Sequence, residues 1–183
     1  MPDKFIPYCQ IDVVQFASDT KGSDKLIEKI FKGPIAQLIR DVLRFIQNVV
    51  IQEQITKLPH QAEAIRYFNY PFAALEEAVV NAVYHRDYQI REPIEISIFP
   101  NQINILSFPG PDRSIKLNDL HHGEIIARRY RNRRIGEFLK ELKLTEGRST
   151  GIPKIKRSLQ INGSPEPIFD TDEDRSYFIT TLK

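Results

Sequence analysis

Between Gly33-Pro34 and Val50, apolar residues recur at steps of three and four: Ile35, Leu38, Ile39, Val42, Leu43, Ile46, Val49 and Val50. That spacing predicts a helix carrying one continuous apolar stripe, entered through the Gly-Pro pair. A stripe of this width must be covered. The chain therefore has to supply a second layer for it, or present it to another copy in a homodimer.

Candidates for that layer follow in the sequence. Ile94, Ile96 and Ile98 alternate with Glu95, Ser97 and Phe99, and Gln102–Phe108 repeats the pattern after the Pro100-Asn101 turn signal. Pro167–Asp170 and Tyr177–Leu182, joined by the acidic turn around Asp172, read as a closing hairpin. Residues 8–17 read as a first strand standing apart, followed by a polar turn at 19–24. A second helix is expected over 72–86 with Leu75, Ala78, Val79, Ala82 and Val83 inward. Two more are expected around Ile135–Leu142 and Ile152–Ile161, and a short one near Leu117. Residues 55–71, with Pro59 and Pro71, read as a long irregular connection. Strands arriving as hairpins with helices grouped between them predict an α+β fold, a two-layer sandwich whose mostly antiparallel sheet is covered by helices on one face.

At 183 residues there is room for one domain, or one plus a fragment of another, and the beginning reads as the middle of something longer. Hydrophobic residues at 41% and charged residues at 27% exclude wholesale disorder and a coiled-coil rod. Cys9 is the single cysteine, so no internal disulfide can form, which fits a reducing cytoplasm. There is no apolar run of membrane-spanning length, and the opening Met-Pro-Asp-Lys-Phe lacks a signal-peptide core. A soluble cytoplasmic protein without membrane partners is the expectation.

The net charge of +2 is unevenly spread. Residues 126–157 hold eleven Lys/Arg against Glu137, Glu141 and Glu146, whereas 158–183 are net acidic. Such a local excess attracts phosphates, on a nucleotide or on DNA; Arg128, Arg129, Arg131, Arg133 and Arg134 are the candidate nucleic-acid contacts. A solvated helix face with its own ion pairs is the bland alternative.

Three constellations could carry chemistry. Glu77, Asn81 and His85 fall at i, i+4 and i+8 of the second helix, on one face away from the buried stripe. A carboxylate there could orient and deprotonate water while the amide oxygen binds a hard cation such as Mg²⁺. On spacing alone a plain polar face is the commoner explanation. Gly147-Arg148-Ser149-Thr150-Gly151 opens directly into the helix containing Pro153 and Lys154, with Ser149 or Thr150 as N-cap. It would make an anion site, or simply a well-capped helix entry. Ser107-Phe108-Pro109-Gly110-Pro111-Asp112 ends a strand, where a base or ribose could approach the backbone, or it is merely a turn.

Other patterns are set aside. His85-Arg86-Asp87 has the look of a protein-kinase catalytic loop, but Glu92 stands where its asparagine belongs. His121-His122, with His60 and His85, lacks metal-site spacing. Tyr130 among the arginines fits no nucleic-acid motif.

In this order, the run Leu75–Tyr88, the strand pair 94–108, Arg131-Asn132, Glu146–Pro153 and the Pro-x-Phe hairpin resemble a known family. It is the C-terminal ATPase-like domain of bacterial proteins labelled ATP-dependent DNA helicase, RecG-related. That domain is similar to the GHKL (Bergerat-fold) ATPases. Residues 1–33 resemble the tail of an AlbA-type, Schlafen-like DNA-binding domain, leaving 34–183 as the ATPase-type domain with its leading helix.

The resemblance implies ATP and Mg²⁺ as cofactors, Glu77 as water-activating base and Asn81 as Mg²⁺ ligand. Gly147, Arg148, Ser149, Thr150 and Gly151 would cradle phosphates beneath a lid made partly from 113–134. His85, Gly110 and Asp112 would complete the nucleotide site. It further implies that Glu77 and Asn81 look across a hollow at the glycine-framed bend. Where GHKL ATPases show Asp-x-Gly-x-Gly, this chain shows Ser-Phe-Pro-Gly-Pro-Asp: Gly110 replaces one glycine and no acid holds the first position. A translocating helicase motor is excluded, since a Walker loop is absent. The competing expectation is a degenerate ATPase fold serving regulation, nucleic-acid binding or dimerisation.

Overall fold

The computed structural model describes residues 8–22, 24–57, 64–122, 129–145 and 151–183. In chain order the elements are β1 (Gln10–Phe16), β2 (Lys25–Lys32), α1 (Ile35–Val49), β3 (Glu53–Lys57), β4 (Ala64–Phe68) and α2 (Phe72–His85). They continue with β5 (Ile94–Ile98), β6 (Ile103–Ser107), α3 (Leu117–His122), α4 (Arg133–Glu141), α5 (Gly151–Asn162), β7 (Ile168–Asp170) and β8 (Phe178–Leu182).

Six strands form one sheet in the order β2-β1-β5-β6-β8-β7. Every pairing is antiparallel except β1 with β5, which run parallel with Val13 opposite Ile96. The fold is α+β, as the alternating strands and grouped helices imply. Period-two burial aims Ile11, Val13, Ile96, Ile105 and Leu182 at the helices, where α1 inserts Leu38, Ile39, Val42, Leu43 and Ile46. The stripe that required a cover thus lies in the core of this chain. The entry is as its sequence demands: Gly33 adopts φ +136°, a conformation side chains rarely take, and Leu38 N–H donates to Pro34 O at 2.8 Å.

One segment without a sequence assignment forms a strand, and another departs from expectation. Residues 25–32 form β2, an edge strand whose charged residues hide its period because only Phe31 is buried; pairing with β1 selects the strand. Part of the supposedly irregular stretch 55–71 folds as the β3–β4 ribbon, fixed to the end of α5 by Asn162, whose side-chain amide bonds both the N–H and the carbonyl of Phe68. The boundary expected at 33/34 falls between β2 and α1. Across it the sheet and the core are continuous, with Ile11, Val13 and Phe31 packed among the helix residues.

α2 is the central helix, buried on nearly all sides from Ala74 to Tyr84. Its polar face is not a solvent face, because α5 packs along it. No helix among the described residues is long and apolar enough to cross a membrane.

Candidate nucleotide site

Glu77 and Asn81 sit one turn apart on α2, and α5 begins directly against them. A Cβ on Gly151 would lie 2.5 Å from Asn81 Nδ2 and 2.9 Å from Glu77 Oε1, so any side chain there would have to displace the ends of both. Where a hollow was expected between the acid and the helix entry, there is contact. Glu77 is buried at 3% exposure, and Lys154, one turn into α5, places Nζ 3.3 Å from Glu77 Oε2.

The open space lies beside this contact. A cavity of about 500 Å³ has Asn81, His85, Gly151 and Pro153 on its helical side, while Glu77 is not part of its wall. Its floor is the sheet: Ser107, Thr180, Phe169 and Phe178, with Ile155 of α5. Pro109, Gly110, Pro111 and Asp112 form a third side, and Arg129, Tyr130, Arg131 and Arg133 stand at the mouth. The floor residues Ser107 and Thr180 are each 3% exposed, whereas the three arginines are exposed. The cavity therefore runs from an apolar, hydroxyl-bearing bottom to a cationic rim. Arg134 lies outside the wall, on the exposed side of α4.

Backbone chemistry explains why the sides hold their shape. Gly110 packs where a Cβ would meet Tyr177 O at 2.7 Å and Arg175 O at 2.8 Å. Gly110 N–H donates to Arg175 O, and the Arg175 guanidinium donates to the carbonyls of Pro111, Asp112 and Ile115. At the far end, Asn132 Nδ2 bonds the Tyr84 and Arg86 carbonyls and Arg131 Nη1 bonds His85 O, capping the C-terminus of α2. Tyr84 stacks on Tyr130 with ring centres 5.5 Å apart.

Electrostatics separate the charged groups from the neutral ones. Burial, with Arg131 nearby, lowers His85 to about 4, so its imidazole is neutral at physiological pH and the rim's charge is arginine. Asp112 stays ionised, held low by its bonds from Ser114; one oxygen accepts from Ser114 N–H and the other lies 4.0 Å from Arg129.

Of the expected site residues, the structure gathers Asn81, His85, Gly110, Asp112 and Gly151 around one cavity, with Arg129, Arg131 and Arg133. Gly147, Arg148, Ser149 and Thr150, Arg128 and part of the expected lid lie outside the described residues. Arg175 and Thr180 carry no sequence signal; Lys154 reads from the sequence as a neighbour of the anion site rather than as the partner of Glu77, and Ser107 as the first residue of the turn that ends β6. A lysine in the first turn of a helix opposes the helix dipole, which was a signal that a carboxylate holds it. Nothing in the spacing marked Arg175 or Thr180.

Residues 92–182 match the family described as "Putative ATP-dependent DNA helicase recG C-terminal". That stretch is similar to this family. The match begins after α2, so Glu77, Asn81 and His85 precede it. The chain matches no curated protein. Among solved structures it is similar to the crystal structure of the DIP2311 protein from Corynebacterium diphtheriae, with a TM-score of 0.77 and 19% identity over 94% of this chain and 34% of that one. The present chain spans about a third of that protein's length, and the likeness concerns the fold.

Mg²⁺ keeps several waters and takes only one or two protein oxygens beside substrate phosphates. No cluster of three or more His, Cys, Asp or Glu suited to a metal exists among the described residues. The Asn81 carboxamide, however, borders the cavity and has no hydrogen-bond partner among the described residues, so this donor set suits a cation brought in with phosphates.

Proposed function

We propose that the cavity binds Mg-ATP and that the chain is a GHKL-type nucleotide-binding module within a larger DNA-associated, RecG-related protein. The observation that carries this reading is the graded cavity. An apolar bottom suits a base, three arginines at the rim suit phosphates, and the amide of Asn81 beside the start of α5 suits the cation. Isothermal titration of the chain with Mg-ATP tests it. Binding should be measurable and should weaken at least tenfold in Asn81→Ala; equal affinity in both proteins would sink the reading.

Hydrolysis would ask Glu77 to activate a water. The Lys154 contact favours a second reading, the same fold binding nucleotide without turnover, because Glu77 is engaged and stands off the cavity wall. Phosphate release by the parent and by Glu77→Gln separates the two. Turnover lost in the variant with Mg-ATP affinity retained supports hydrolysis, and no turnover in either supports the silent module. For the exposed arginines, DNA affinity that falls steeply with salt, and falls again when Arg129, Arg133 and Arg134 become serine, would add a nucleic-acid partner.

A further inference from the structure

Ser107 and Thr180 are diagonal neighbours on β6 and β8, since Ile105 faces Thr180 and Ser107 faces Phe178 in the register. Both are almost wholly buried, and both line the cavity. Neither hydroxyl has a hydrogen-bond partner among the described residues. They are not sealed in: among the described residues the buried side-chain atom without a partner is Asn104 Oδ1, which does not line the cavity. They thus face the space where a ligand's deepest group would rest. The nearby Thr171 differs, since its hydroxyl already donates to Tyr177 O.

The chemistry of this floor is unusual for a selective base pocket. Asp112 is the one carboxylate among the described lining residues, and it is turned toward Ser114 and Arg129 near the rim. Phe169, Phe178, Ile155 and Pro109 offer non-directional apolar contact. A hydroxyl both donates and accepts and rotates to suit its partner. Adenine presents an amino donor beside a ring acceptor, and guanine a carbonyl acceptor beside a ring N–H donor. A fixed donor or acceptor rejects the wrong pattern because a buried polar group is left unpaired. Two rotatable hydroxyls escape that penalty with either edge.

Resting on the reading that the cavity takes a nucleotide, we infer that Ser107 and Thr180 make it a purine nucleoside triphosphate site that does not distinguish 6-amino from 6-keto bases. Displacement of a fluorescent ATP analogue from the full chain by ATP, GTP and ITP, each with Mg²⁺, tests this. The three affinities should fall within tenfold of one another. Ser107→Ala and Thr180→Val should weaken ATP and GTP alike, by about three- to tenfold each, and Thr180→Ser should restore binding. A preference above tenfold for one purine overturns the inference while leaving nucleotide binding intact. So do unchanged affinities in well-folded Ser107→Ala and Thr180→Val. Failure of every nucleotide to bind instead removes the underlying reading, and the inference with it.

Discussion

Lys154 Nζ stands 3.3 Å from Glu77 Oε2, and this ion pair, with Glu77 96% covered on its side chain and Lys154 about two-thirds covered, ties α5 to the central helix α2. Removing one member of a buried pair strands the other charge, which typically costs about 3–5 kcal/mol. Water reaches Lys154 and screens part of this, so Lys154→Met should lose about 1–3 kcal/mol in urea denaturation. Adding Glu77→Gln should recover part of the loss, giving a coupling energy of about 1 kcal/mol or more. Strict additivity would mean that the contact contributes nothing.

Gly110 and Gly151 are both glycine for want of space, yet their substitution should read out differently. At Gly110 a methyl group meets the carbonyls of Tyr177 and Arg175, which belong to backbone and cannot turn away. Gly110→Ala should therefore destabilise by about 1–3 kcal/mol, as overpacking does. At Gly151 it meets the ends of Asn81 and Glu77, which can rotate. Gly151→Ala should keep its melting temperature within a few degrees and lose Mg-ATP affinity, since the displaced amide is the proposed cation ligand. Calorimetry and titration on the same samples compare the two.

Arg175 adopts φ +58°, a left-handed conformation costly for any residue with a Cβ, and its guanidinium holds three carbonyls of the 111–115 turn. Arg175→Ala loses the bonds and keeps the strain, whereas Arg175→Gly loses the bonds and relieves it. Glycine should be the more stable variant by about 0.5–1 kcal/mol, after allowing for its freer unfolded chain. Alanine proving equal or better would mean that the backbone there is not strained.

These contacts mark the limit of what the sequence discloses. The stripe on α1 and the alternation in β5 and β6 are local periodicities, so helices and strands were legible to within a residue or two. β2 and the β3–β4 ribbon were not, because their strand character comes from partners rather than from their own pattern. Asn81 and His85 could be singled out as misplaced polar residues on an apolar helix. Their relation to Glu77 could not: burial of that carboxylate depends on α5 returning seventy residues later with Gly151 and Lys154 in register. Thr180 looks like an ordinary strand residue, and Ser107 like the start of a turn, until the cavity floor places them together.

His85 gives the fold a pH dependence with a defined sign. Burial first, and Arg131 second, lower its pKa from 6.5 to about 4 in the folded protein. Above about pH 6.5 both folded and unfolded chains carry a neutral imidazole, and this group contributes no slope. Between about 6.5 and 4 the unfolded chain takes up a proton that the folded one refuses, so stability falls as the pH falls. Below about 4 both are protonated and the loss is complete. Asp112 and Asp172, whose pKa values are lowered from 3.8, act below this window. Urea midpoints at pH 7.0, 5.5 and 4.5 should decline in the parent and flatten in His85→Asn. In Arg131→Gln, removal of the repelling charge should move the imidazole titration, followed by NMR, upward from about 4. An unchanged titration would show that desolvation alone sets it, and parallel slopes in parent and His85→Asn would place the pH sensitivity elsewhere.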